Sequence, residues 1–535
     1  MCWRNKRKAP GSIRNNEIMS DQCFIGGKEM SNINVEPYIA DEDYNNPAMV
    51  TDFYEFTMAN CLFQHGFKDK IMVFDMFFRR NPDNQGYSIS CGQHALVKFL
   101  REYHFTEKDL VYLRTKGMSE EFLDYLRTYK WKGDMYAFKE GLVCYPQVPM
   151  VRIECDMVGA ILIETYLLQT MNFHSLIATK ATKISGLSTH TPRNVMEFGT
   201  RRAQGQSAGD NGAYAAILGG CIGTANCLAE MKYGPDVKAV GTIAHSFIEF
   251  YENEFEAFKA YADTYPENVS LLLDTYNILE SGLPNLIKID DYLIEKYPND
   301  PINRVKSARI DSGDLARGYK RLRKRLDEAG KPYVKLVASN SLDENTMADM
   351  ELYEGARFDS YGVGEKLITS SSSPVFGGVY KLVAVKEDDG TYSPRMKCSD
   401  SASKAIIPGK LMAWRIYDEE GKGQADIISL DDEIIEEGKE ITVYDMNPDA
   451  LHHSRKITPL KVEKLLVPHL INGELAMELP SIKEKKEFIK DQLENKVWES
   501  ELRPKMPHSH YVDLTEKVYE LREAMYKKLH GGSLD

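Results

Sequence analysis

A chain of 535 residues, 43% of them hydrophobic, is long enough for two or three domains with a large buried core, which excludes disorder of the whole chain. A formal charge of −13, with no Lys/Arg cluster beyond the amino terminus, argues against a nucleic-acid or anionic-membrane surface and leaves only local anion sites. The nine cysteines show no CxxC or zinc spacing and read as reduced thiols of a cytoplasmic protein; the most apolar window, 157–173, is interrupted by Glu164 and too short to span a bilayer.

Residues 1–46 are polar, carry a basic run at Arg4–Lys8, and are expected to form a disordered extension that lacks the apolar centre of a secretory signal. Order is expected from Met49, where Thr51 or Asp52 can cap a helix toward Gly66 with Glu55 as capping-box partner. Residues 71–78 have strand composition and deliver Arg79 and Arg80 to their end, either to hold phosphate bidentately or as a solvated strand end. Helices with short connections follow over 92–129, then strand-like pieces around Val143 and 148–155, so 47–157 reads as an α+β domain.

Over 158–376 an apolar helical stretch leads into strand-like segments at 195–204, 221–226, 238–247, 270–276, 307–315, 334–340 and 360–365, each ending in polar groups. Such a succession predicts a β/α barrel with its site at the carboxyl ends of the strands. His245 is the first catalytic candidate: Val240, Ile243 and Ala244 suit a buried strand, while Gly241, Thr242 and Ser246 let a ligand approach the backbone. A histidine hydrogen-bonded as part of the framework is the competing reading. Asp311 and Asp314, with Arg309 on the strand before them, suit sugar hydroxyls or a magnesium ion beside a phosphate, or else a structural ion pair. The pairs Gly362, Gly364 and Gly377, Gly378 permit close backbone approach to an anion. Together these features point to a phosphorylated sugar. Residues 377–535 read as a β-rich region with a solvated helix at 482–497 and a terminal amphipathic helix at 514–529.

At these residues the chain resembles the nicotinate phosphoribosyltransferases, of the type II phosphoribosyltransferase fold, from about Met49 to past Lys404. The matching pieces lie at 51–58, 77–80, 197–204, 241–247, 273–276, 309–314 and 377–382. The resemblance implies an irregular β/α barrel with an α+β amino-terminal domain and a β-rich carboxy-terminal region, assembled as a homodimer with active sites at the subunit interface. It implies ATP-coupled transfer of phosphoribosyl from 5-phosphoribosyl-1-pyrophosphate to nicotinate, giving nicotinate mononucleotide and pyrophosphate in NAD salvage. On the same basis ATP would phosphorylate His245, and Phe198 and Tyr54 would clamp the pyridine ring, with Tyr54 from the other subunit. Arg201 would lie near the nicotinate carboxylate, Arg309 near the ring or pyrophosphate, and Asp274 and Asp311 near ribose and magnesium, with Thr242 and Ser246 in contact with substrate.

The chain departs from the family pattern at Gly362-Val-Gly-Glu365, where many relatives carry threonine in the last position, and at Asn340-Ser341, where two asparagines are usual. Glu365 is expected to turn away from phosphate toward Lys366 or another basic group, leaving backbone amides and the hydroxyls of 369–373 as phosphate donors. Asn226 stands where the sister nicotinamide enzymes are expected to carry aspartate, and so is expected to influence the choice of base. The rival readings are nicotinamide phosphoribosyl transfer and a catalytically inactive, nucleotide-binding barrel.

Overall fold

Ile71–Phe78, apolar along most of its length, lies inside a seven-stranded antiparallel sheet. Its neighbours are Val151–Asp156 on one side and Gly378–Lys386 on the other, so a strand that follows the barrel in sequence completes the sheet that the first region begins. Tyr392–Pro394 extends one edge, and Asp134–Ala137, Val467–Ile471 and Glu474–Leu475 extend the other. The computed structural model describes residues 41–397, 406–446 and 454–529; the basic run and residues 1–40 of the expected extension lie outside them. Residues 41–46 are tied to the first region: the Tyr44 hydroxyl and the Asn46 amide both donate to the Asp109 carboxylate.

The expected capping box at the first helix is not made. Phe53–Gln64 begins at Asp52 without a side-chain cap bond, and Glu55 turns into the interior, where it accepts a hydrogen bond from Thr165 Oγ1 at 2.6 Å. Its other oxygen has no partner, and burial pushes the carboxyl up to about 7. Further on, the apolar stretch 158–183 forms Met157–Ile161 and the long helix Glu164–Ile184, most of whose residues are buried between the sheets.

The second sheet is wholly parallel, in the order Gly223–Thr224, Val195–Glu197, Ser360–Val363, Lys335–Ser339, Val305–Ile310, Val269–Leu272. Helices follow its strands in the βα manner: Gln206–Leu218, Leu283–Lys296, Leu315–Glu328 and Glu344–Leu352. The result is a curled parallel sheet, an irregular β/α barrel, beside β-rich parts. The strand predicted at 238–247 is corrected by the structure. Ala239 makes a single parallel bridge to Thr224, the Val240 amide donates to the Thr224 carbonyl, and pairing stops there. Residues 240–244 run without regular structure to His245, the first residue of the short helix His245–Glu249. Beyond Val240 the segment pairs with no strand, and the outer edge of the Val269 strand, which pairs only with the Val305 strand, is left open.

The carboxy-terminal sheet has six strands, with Leu411–Tyr417 and Gly423–Leu430 pinned across one another by the buried pair Arg415–Asp426 (2.7 Å). The helix expected to be solvated, Ile482–Asn495, does start with a capping box at Ser481 and Glu484. Its other face is buried, however: Lys485 pairs with Glu140 at 2.7 Å, and Gln492 bonds the backbone of Val143 and Gly141. Among the described residues no helix is long and apolar enough to cross a membrane, and the six cysteines are free thiols.

Candidate active site

The carboxyl ends of four parallel strands open onto one cleft of about 180 Å³. Its walls include Phe198, Arg201, Arg309, Asp311, Asn340 and Gly362. Behind Asp311 a second carboxylate, Asp274 from the neighbouring strand, is locked to it through the backbone. Asp274 Oδ2 accepts from the Asp311 amide at 2.9 Å and from Ser312 Oγ at 2.6 Å, whereas Asp274 Oδ1 is buried without a partner. Asp311 Oδ1 accepts from Ser339 Oγ at 2.6 Å, and its other oxygen faces His245 Nε2 at 3.8 Å. His245 Nδ1 lies 3.2 Å from Thr275 Oγ1, so the imidazole is oriented by one strand end and confronts a carboxylate from the next.

Arg309 brings the positive charge. One of its terminal nitrogens donates to the Ile243 carbonyl at 2.6 Å, which ties the His245 loop to the Arg309 strand, while its Nε is buried with no partner. Burial lowers the guanidinium's pKa from its ordinary value, with Asp311 and Asp274 opposing that change. A buried carboxylate oxygen and a buried guanidinium nitrogen, both unpartnered at one cleft, are groups that a charged ligand can satisfy.

Phe198 forms an apolar wall. Its amide donates to the Val363 carbonyl at 2.8 Å, and its ring lies on the bare backbone of Gly362. Beneath it the buried Glu197 accepts from Thr224 Oγ1 and from the Gly199 amide, fixing the turn that presents Phe198; burial raises its carboxyl pKa. Asn340 and Ser341, at φ of 99° and 51°, hold a left-handed backbone at the cleft edge, a conformation that costs energy for non-glycine residues and concentrates at ligand sites. Glu365 does turn to a basic group, but to Arg202 at 2.9 Å; Lys366 is engaged by Asp343 at 2.6 Å.

Other candidates stand apart from the cleft. Tyr54 is half-exposed on the helix Phe53–Gln64, and burial with nearby Glu164 raises its hydroxyl to about 12. Asp314 caps the helix Leu315–Glu328 through the Arg317 amide. Gly378 is a packing glycine, since a Cβ there would stand 2.2 Å from Asn172 Oδ1, and Gly377 takes a turn at φ of 76°. Thr242 and the exposed Ser246 flank His245 without lining the cleft. Asn226 caps Cys227–Tyr233 and uses both ends of its amide, accepting from the Ala229 amide and donating to Asp210. Of the hydroxyls 369–373, Thr369 and Ser370 bond backbone carbonyls and Ser372 accepts from Lys180. The roles of Thr275, Ser339 and Ser341 are not evident from the sequence, although Thr275 adjoins Asp274 within 273–276 and Ser339 lies in the predicted strand 334–340.

Among the described residues no group of three or more His, Cys, Asp or Glu is positioned to hold a metal ion. Asp274 and Asp311 still offer two carboxylates, one with a buried free oxygen, which suits a magnesium ion that takes its remaining ligands from phosphate and water.

Residues 49–172 match the nicotinate phosphoribosyltransferase (NAPRTase) N-terminal domain, and 411–522 match the nicotinate phosphoribosyltransferase C-terminal domain. The chain is 37% identical to the nicotinate phosphoribosyltransferase of Bacillus subtilis, over 88% of its own length and 93% of the relative's. It is 31% identical to that of Dictyostelium discoideum, over 88% of this chain and 87% of the other. The crystal structure of human nicotinic acid phosphoribosyltransferase superposes with a TM-score of 0.78 at 26% identity, covering 89% of this chain and 99% of that one. From its barrel-end cleft to its two terminal regions, the chain belongs to the nicotinate phosphoribosyltransferase family.

Proposed function

We propose that the protein transfers phosphoribosyl from 5-phosphoribosyl-1-pyrophosphate to nicotinate, giving nicotinate mononucleotide and pyrophosphate, with ATP hydrolysis coupled to the transfer. The observation that carries this reading is the convergence of Arg309, Asp274, Asp311 and His245 beside the Phe198 ring at the barrel's carboxyl ends.

The chemistry follows from where charge moves. The bond between the anomeric carbon and pyrophosphate breaks with its electron pair leaving on pyrophosphate, and the ring nitrogen of nicotinate attacks the same carbon. Positive charge develops on the ribose, where the Asp274 and Asp311 carboxylates stabilise it, and negative charge on the leaving group is met by Arg309. The ring of Phe198 offers a flat face for the pyridine, and Arg201, exposed at the cleft, suits its carboxylate. The backbone of 362–364 and the left-handed turn at 340–341 suit the 5-phosphate.

His245 would attack the terminal phosphorus of ATP, releasing ADP, and the phosphohistidine would later give phosphate to water. A phosphoryl dianion beside Asp311 is strongly repelled unless a cation intervenes. Magnesium held by Asp274 and Asp311 would supply that charge compensation when bound.

The second wall of the pyridine site would come from Tyr54 of the other subunit in a homodimer. The support is that Tyr54, Phe53 and Met58 are exposed on one helix while Tyr54 is absent from the cleft of its own chain. The reaction would run in the cytoplasm. Product analysis with nicotinate and nicotinamide side by side, with and without ATP, tests the reading: nicotinate mononucleotide is expected, formed faster with ATP. Nicotinamide mononucleotide as main product, or no product, would overturn it.

A further inference from the structure

Behind the cleft, on the far side of Lys366, lies a second and larger cavity of about 410 Å³, within the size range of small-molecule sites. It is enclosed by the carboxyl end of the helix Glu164–Ile184, the loop around Asp83, the start of the helix Glu344–Leu352, and residues 501–504. No residue of the proposed reaction lines it; the two walls share only Lys366.

The charges on its wall nearly cancel in number but are unevenly paired, since one ammonium, Lys180, serves two carboxylates. Each of the four carboxylates has a partner: Asp83 and Glu344 share Lys180 at 2.9 and 2.7 Å, with Glu344 Oε2 left buried and unpartnered, Asp343 takes Lys366 at 2.6 Å, and Glu501 takes the Tyr145 hydroxyl and His510. Arg193 is neutralised by Glu351. Two cations, Lys183 and Arg503, have no hydrogen-bond or ion-pair partner among the described residues. Lys183 lies mostly buried one turn beyond Lys180 on the same helix, and burial lowers its ammonium to about 8 despite Asp83 and Glu344 nearby. A mostly buried ammonium without a direct hydrogen-bond or ion-pair partner is costly to keep charged, and an anion in the cavity lowers that cost.

We propose that this cavity is a second ligand site, which takes a small organic phosphate whose anionic group sits between Lys183 and Arg503. Hydroxyls on its wall, among them Ser188 and Ser372, supply further donors to phosphate oxygens. The volume exceeds what a bare ion needs and fits a phosphorylated three-to-six-carbon compound. The site also touches the cleft through one short segment: Ser339 to Leu342 line the cleft, while Asp343 and Glu344 line the cavity and hold Lys366 and Lys180. An occupant that draws Lys180 toward itself therefore pulls on the turn that edges the cleft.

The test is calorimetric titration of the full-length protein with glycerol 3-phosphate, with succinate as an anion lacking phosphate. Two classes of site are expected, one in the cleft and one in the cavity. Lys183→Met should weaken the second at least tenfold and leave the first intact, Arg309→Met should do the reverse, and Arg503→Gln, at an exposed position that does not threaten folding, should weaken the second severalfold. The proposal is overturned if no class of site is weakened in Lys183→Met and Arg503→Gln, or if succinate binds there as tightly as the phosphate; a single class that is lost in Lys183→Met upholds it and removes only the cleft class, which rests on the proposed reaction. A kinetic arm rests on the proposed reaction: glycerol 3-phosphate should change the KM for the phosphoribosyl donor in the wild-type protein, with a component lost in Lys183→Met. The calorimetry stands independently of that reaction, so the two readings fail separately.

Discussion

The ring of Phe198 occupies the space that a side chain on Gly362 would take. A Cβ at residue 362 would stand 2.5 Å from Cδ2 and 2.7 Å from Cε2 of the ring, so the wall of the cleft exists in its present position only because that strand residue is glycine. Gly362→Ala should push the ring into the cleft and raise the KM for nicotinate about tenfold or more, equivalent to about 1.4 kcal/mol. Steady-state kinetics checks this, and a KM within twofold of wild type would show that the ring does not contact the base.

His245→Ala should abolish ATP stimulation and leave a slow, ATP-independent transfer, because the imidazole would serve the coupling step and not the displacement at ribose. Thr275→Val, which removes the hydroxyl at 3.2 Å from Nδ1, should reduce ATP stimulation partially. Labelled ATP followed by acid-labile phosphate mapping reads both, and full ATP stimulation in His245→Ala would remove the histidine from the scheme.

Glu365 forms an exposed ion pair with Arg202, the kind of contact that contributes little to stability. Glu365→Thr should therefore change the apparent affinity for the phosphoribosyl donor by less than about tenfold, or about 1.4 kcal/mol. A larger loss would give the carboxylate a role in binding, and a larger gain would mean that it opposes the phosphate.

Asn226 was expected to influence the choice between nicotinate and nicotinamide, but its amide bridges the Ala229 backbone and the Asp210 carboxylate. Asn226→Asp would set two carboxylates together at a buried position, at a cost of about 2 kcal/mol after partial compensation by Lys232, which already pairs with Asp210. The expected outcome is a lowered Tm with use of the two bases falling by similar factors. Selective loss of nicotinate use, with Tm unchanged, would restore the specificity role.

Glu55 gives the protein a pH-dependent stability. Its carboxyl keeps its proton up to about 7 in the folded state but only to about 4.5 when unfolded, so the unfolded chain binds fewer protons between these values and stability falls as pH rises through that window. The difference amounts to at most about 3 kcal/mol. Glu55→Gln, which keeps an acceptor for Thr165, should raise Tm at pH 8 and leave it nearly unchanged at pH 4.5. Equal shifts at both pH values would contradict the buried-acid account.

The parts of the site legible in the sequence are those that a parallel strand presents by alternation and termination: Arg309, Asp311, Asp274, Phe198 and the glycines at 362 and 364. Residues whose role depends on a contact distant in sequence were not legible. Gly378 looks like a phosphate glycine until Asn172, from a helix 206 positions earlier, is seen to fill the place of its Cβ. Asp314 pairs in spacing with Asp311 as a ligand would, yet its position also suits an N-cap, and the cap is what forms. The His245 segment carries the composition of a strand, yet past Val240 it leaves the sheet without pairing to the open edge of the Val269 strand. Glu55 fits a capping-box spacing, but Thr165 offers it a buried partner that local spacing cannot reveal.

The interleaved first sheet sets a timetable for synthesis. Phe78 pairs with Gly378, so Ile71–Phe78 leaves the ribosome 300 residues before one of its two neighbours has been made. At roughly 5–20 residues per second that interval is on the order of 15–60 s. Through it the nascent chain carries an unpaired apolar strand edge, the template on which foreign strands add. Residues 47–157 made alone never receive the missing neighbour, and that fragment should aggregate where the full chain does not.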